Sequence, residues 1–138
     1  MPSQQDYIRL IQNACRIVPM RRANLKALES MDHDFTSESL NGYCYDATEA
    51  AWFLFGRSSN MIPVKKGKGP TGHYWLYDPR SLDSHIDIIR LPGDPLFNYS
   101  NFKTAHNLKN KQKPGKRAQR IINHVITAFR NGAALEPV

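Results

Sequence analysis

Cysteine is scarce: the 138 residues hold two, Cys15 and Cys44. Two cysteines build no disulfide framework, so a reducing, cytoplasmic compartment is the expectation. Long apolar runs are missing as well. The longest, Ala50 to Gly56, falls far short of the about 20 residues that a bilayer span needs, and no membrane partner is expected. Gln4, Gln5, Asp6 and Arg9 stand where a secretory signal would carry its apolar core. There is no H-E-x-x-H and no cysteine pair at ligand spacing, so neither a metal nor another cofactor is expected. His33, between Asp32 and Asp34, reads as part of a solvated loop. The glycine-rich stretch before His73 is no P-loop, because His73 and Tyr74 occupy the places of its Lys and Ser/Thr.

Acid is scarce in one half only. Residues 1–60 are nearly balanced, with six basic and seven acidic side chains, whereas residues 61–138 hold thirteen and five. The formal net charge of +7 therefore comes entirely from the second half, the first being slightly negative. Such a gradient attracts polyanions or solvates one face.

With 41% apolar residues, a length near the common domain size predicts one globular domain over 1–138. A helical part spans 3–30. Its first helix, 3–18, opens on a Ser3–Asp6 capping box and carries Ile8, Ile11, Cys15 and Val18 at helical spacing. A second covers 23–30. Residues 44–55 form the central helix, with acids in its first turn and an Ala47, Ala50, Ala51, Leu54 face for close packing. Residues 64–72 read as a basic loop able to serve as a flap. The period then changes to two, giving strands at 72–78 and 85–91 around a turn near Pro79. Residues 96–114 look irregular. A last helix, 115–131, has the apolar stripe Ala118, Ile121, Ile122, Val125, Ile126 and Phe129. The expected class is α+β, a buried helix packed on a small antiparallel sheet with flanking helices.

One constellation looks catalytic. Cys44 opens the buried helix, where the dipole and unpaired N–H groups favour thiolate and can hold an oxyanion. His73 opens a strand, and Asp87 lies on the next. An imidazole beside the thiol moves its proton, and a carboxylate orients the imidazole. A turn centred near residue 80 sets His73 directly opposite Asp87, and Trp75 opposite His85. Cys44 is expected to be partly exposed, whereas Cys15, on an apolar stripe, is expected to be inert packing. Asn41 is the nearest candidate for an oxyanion-hole amide, or else a turn residue. Tyr43, Tyr45, Trp75 and Tyr77 could line a substrate groove or fill the core.

Gly42-Tyr-Cys44 before an Ala/Thr helix, Gly72-His-Tyr-Trp75, Ile86-Asp87-Ile88 and Pro114-Gly-Lys-Arg-Ala118 together resemble the small YunG-like proteins of bacteria and phages. Those proteins in turn resemble papain-like (NlpC/P60, transglutaminase-core) cysteine hydrolases. The resemblance covers roughly residues 40–128, and the order of the motifs is more specific than any one of them. It implies a papain-like fold with Cys44 as nucleophile, His73 as general base and Asp87 as orienting acid. The implied partner is a peptide or protein substrate, met in the cytoplasm, or in the host cytoplasm for a phage-encoded chain. Ile89 departs from the family's usual Thr, and the spacer 78–84 is longer.

Lys109, Lys111, Lys113, Lys116, Arg117 and Arg120 place six cations in twelve residues without an acid. They are candidates for tracking phosphates, although no aromatic ring lies among them for base stacking. A second class of function follows: a non-enzymatic binding protein that engages nucleic acid or a host protein through this half.

Overall fold

A computed structural model describes residues 3–19, 40, 42–57, 60–67, 72–81 and 84–132. The helix expected at 23–30 and the amide of Asn41 lie outside these residues. Helix α1 (Gln4–Cys15) opens on the capping box read from the sequence. The Asp6 N–H donates to Ser3 Oγ at 3.1 Å, and the Ser3 N–H to Asp6 Oδ2 at 3.0 Å. Its apolar face buries Ile8, Leu10, Ile11, Ala14 and Cys15. It stops at Cys15, earlier than expected, and Val18 is held instead by its N–H on the Ala14 carbonyl.

Helix α2 (Cys44–Leu54) is the central one, with every residue from Cys44 to Trp52 except Tyr45 buried. The small side chains Ala47, Ala50 and Ala51 let neighbours approach closely, and all three are fully covered. Gly56, at φ +74°, ends the turn that follows.

Four strands make one antiparallel sheet in the order β3-β2-β1-β4: β1 (Ile62–Lys66), β2 (His73–Asp78), β3 (Ser84–Ile86) and β4 (Lys103–Thr104). Strand β1 corrects the loop expected from residue 64 onward. Lys65 and Lys66 close a five-residue strand whose central Val64 is buried between two partners. Pro63, which lacks an N–H, is tolerated inside this sheet for a visible reason. Its carbonyl accepts the Ala105 N–H, so its bare nitrogen faces the side where β4 is only two residues long.

Strand β3 is also shorter than the expected 85–91. The chain leaves the sheet at Ile86, and the Arg90 N–H closes a turn onto the Asp87 carbonyl. Ile88 and Ile89 are consequently both buried instead of alternating. From α1, the Gln12 side-chain amide donates to the carbonyls of Ile88 and Arg90, tying this turn to the first helix.

After the one-turn helix α3 (His106–Lys109), helix α4 (Lys116–Arg130) buries Ala118, Ile121, Ile122 and Val125. Ile126, expected on the same stripe, is 39% exposed. Helices α1, α2 and α4 share one core with Tyr74 and Leu76 of β2. On the other face of β2, residues 97–102 lay Phe97, Tyr99 and Phe102 around Trp75. The protein is therefore α+β, as expected.

Candidate active site

Cys44, His73 and Asp87 come together from three elements. Cys44 is the first residue of α2, and the side chain of Tyr43 before it makes no capping bond. Its thiol donates to the Gly72 carbonyl at 3.4 Å. His73, the next residue, opens β2, so the strand end delivers the ring to the helix terminus. The His73 Nε2–H donates to Asp87 Oδ2 at 2.7 Å. That bond leaves Nδ1 as the ring atom for the thiol.

The pairing is diagonal, not direct. Leu76 lies opposite Ile86 and Tyr77 opposite His85, a register two residues away from the expected one. A two-residue shift preserves side-chain parity, so the same faces still meet. Asp87 then reaches His73 from the turn after β3. Trp75 likewise bonds His85 on the diagonal, its indole N–H donating to His85 Nδ1 at 3.1 Å.

Burial pulls the His73 pKa down, but the other contributions prevail. The hydrogen bonds to Asp87 and then to Cys44, together with the negative charges of both, lift it to about 9. The ring is thus held as imidazolium at neutral pH. Only 18% of its side chain is exposed, and Phe97 and Trp75 flank it at centroid distances of 4.5 and 5.5 Å. Both cysteines are buried, which corrects the expectation for Cys44: its exposure is 7%, because the Gly72 carbonyl and the His73 ring lie against the sulfur. Cys15 is fully enclosed. Desolvation, then the charge of Asp46, pushes its thiol up to about 12, the inert state expected of it.

Of the residues that could line a groove or fill the core, Trp75 fills the core, while Tyr43 and Tyr45 are half-buried. Trp75 is fully buried at the centre of the aromatic cluster and touches no solvent. The Tyr43 hydroxyl is committed to the Val18 carbonyl at 2.9 Å. Tyr45 packs edge-on against Tyr74, with Lys111 above its ring. Lys111 also drops out of the free basic run, since its ammonium bonds both carboxylate oxygens of Glu49 at 3.1 Å. Glu49, fully buried on α2, takes the Gly115 N–H as well and so caps α4 from across the core. Lys109, Lys113, Lys116 and Arg120 remain exposed, and Arg117 is half-buried.

One residue near the site is not read as part of it from the sequence. Tyr99 donates its hydroxyl to Asp87 Oδ2 at 2.8 Å, on the oxygen that also receives His73. His85 of β3 stacks on the Tyr99 ring at 4.9 Å. The place of Tyr99 depends on how an irregular segment folds back, which no periodicity announces.

No protein-family model, curated protein or solved structure matches the chain. The chemistry of the site therefore rests on its own geometry. Among the described residues no cluster of His, Cys, Asp and Glu could hold a metal ion, and no helix is long and apolar enough to cross a membrane.

Proposed function

We propose that the protein is a cysteine hydrolase of papain-like design, acting on an amide, isopeptide or thioester bond of a peptide or protein substrate. The observation that carries this reading is the 2.7 Å bond between His73 and Asp87 on a ring that also meets the thiol opening α2. The order of its motifs, which resembles that of YunG-like proteins, supports it.

In this reading the Cys44 thiolate attacks the carbonyl carbon, and the carbonyl electron pair moves to oxygen beside the positive end of α2. The tetrahedral intermediate collapses, the scissile bond breaks, and the His73 imidazolium gives its Nδ1 proton to the leaving amine or thiol. Water, deprotonated by the now neutral His73, attacks the thioester; the C–S bond breaks, the acid leaves, and the Cys44 thiolate and His73 imidazolium are restored. Asp87 stays ionised throughout. An amine in place of water would make the protein a transferase. No cofactor is needed for any of these steps.

An activated ester such as p-nitrophenyl acetate tests the reading without knowledge of the natural substrate. The expected result is a burst of p-nitrophenolate and an acetyl adduct on Cys44, both absent in Cys44→Ala. Equal turnover by Cys44→Ala would overturn it.

A second reading has its own observation. No acid occurs between Asp94 and Glu136, and Lys109, Lys113, Lys116 and Arg120 are exposed across α3 and the start of α4. This surface suits a polyanion such as nucleic acid.

A further inference from the structure

We propose that Tyr99 is a positioning residue of the triad: its hydroxyl fixes the Asp87 carboxylate, and through it holds His73 with Nδ1 turned toward Cys44. The proposal rests on the hydrolase reading and adds a fourth residue to it.

The Asp87 side chain is 6% exposed, and its two oxygens are used unequally. Oδ2 receives both the His73 Nε2–H and the Tyr99 hydroxyl, while Oδ1 is buried without a partner. A carboxylate held by one donor can turn about its Cβ–Cγ bond. An unpaired buried oxygen favours a partial turn that shares the donor less well or seeks another one. The second donor, arriving on the same oxygen from another segment, opposes it.

Tyr99 is itself held firmly although its segment has no regular structure. Its ring lies nearly parallel to His85, at an interplanar angle of 10°, and edge-on to Trp75 at 5.2 Å. Next to it, Asn98 Oδ1 accepts from the Ser100 N–H and hydroxyl at 2.9 and 2.6 Å, a local turn that needs no neighbouring strand. The Asn98 carbonyl is in turn bound by the Lys66 ammonium at 2.8 Å. Lys66 pairs with His73 in the β1–β2 ladder. One rung of the sheet thus carries the imidazole and also anchors the segment that steadies its carboxylate.

The titratable and charged groups around this carboxylate are His73 on β2, His85 on β3, Arg90 in the turn, Tyr99 itself and, across the imidazole, Cys44. Burial and the bond to Asp87 raise the Tyr99 hydroxyl to about 12, so it remains a donor over the working range.

Tyr99→Phe keeps the ring and deletes only the hydroxyl, and its thermal unfolding checks that the packing survives. Two readouts follow the triad: the NMR titration of the His73 imidazole and the rate of Cys44 alkylation by iodoacetamide near pH 8.5. The expected result is a His73 midpoint moved down by about one unit and alkylation slowed by about threefold at that pH, where the imidazolium fraction changes most. In an Asp87→Asn background the same substitution should add almost nothing, because the hydroxyl acts through Asp87. A midpoint that stays or rises in Tyr99→Phe, while Asp87→Asn does slow alkylation, overturns the positioning role alone. If Asp87→Asn and His73→Ala leave the Cys44 rate untouched, the triad reading falls and takes the role of Tyr99 with it.

Discussion

The His73–Asp87 pair ties the site to the stability of the fold. In the unfolded chain His73 titrates near the ordinary 6.5, and in the folded protein at about 9. Because the folded value is the higher one, the pair's contribution is complete below pH 6.5 and is lost as pH rises through 9. Thermal unfolding of the wild type should therefore lose stability across that window. Asp87→Asn should start lower by about 1–3 kcal/mol, the worth of a hydrogen bond to a charged group, and lose less over the same range. Parallel pH profiles of the two proteins would contradict this assignment. His73 and Asp87 were legible as partners because each carries chemistry and their parity survives a two-residue shift. Tyr99 was not, since nothing local marks a loop tyrosine that returns to a carboxylate twelve residues before it.

At the scale of elements, α2 carries the proposed nucleophile at its first residue and the buried Glu49 within its body. Glu49 joins that helix to α4 through Lys111 and the Gly115 N–H. Removing one member of a buried ion pair costs more than removing both, because an uncompensated charge remains. Lys111→Met should thus destabilise the protein by about 3–5 kcal/mol in chemical denaturation, with the penalty smaller in Glu49→Gln/Lys111→Met. A double variant less stable than Lys111→Met would contradict the pairing. The three helices that build this core were legible from their periodicity and caps. The strands were legible less well, and for definite reasons. The β2–β3 register depends on how residues 78–84 turn, which composition does not determine, and a short strand such as β1 has only Ile62 and Val64 to mark it. Lys111 looked like its basic neighbours because only the folded chain brings it to Glu49, 62 residues away.

Across the whole molecule, charge is segregated. The proposed catalytic residues gather where α2 meets β2, whereas the exposed cations lie across α3 and the beginning of α4. If the basic surface binds duplex DNA, each phosphate neutralised contributes about −0.9 to the slope of log affinity against log salt. Changing Lys109, Lys113 and Lys116 to Gln should flatten that slope while leaving the acetyl burst on Cys44 intact. Salt-independent binding, or none at low ionic strength, would remove nucleic acid from consideration. Lys111 must be left in place in this experiment, since its loss would report on folding instead.

The aromatic packing on the outer face of β2 also makes the site optically readable. The chain has two tryptophans, Trp52 and Trp75. Trp75 is fully buried with its ring stacked 5.5 Å from the His73 imidazole, at an angle of 30°. A protonated imidazole in contact with an indole quenches its emission, and a neutral one does so far less. Intrinsic fluorescence excited at the indole band should therefore brighten as His73 loses its proton near pH 9, over a steady background from Trp52. The rise should vanish in Trp75→Phe and move to lower pH in Asp87→Asn. The protein would then report its own protonation state by light, with no label attached.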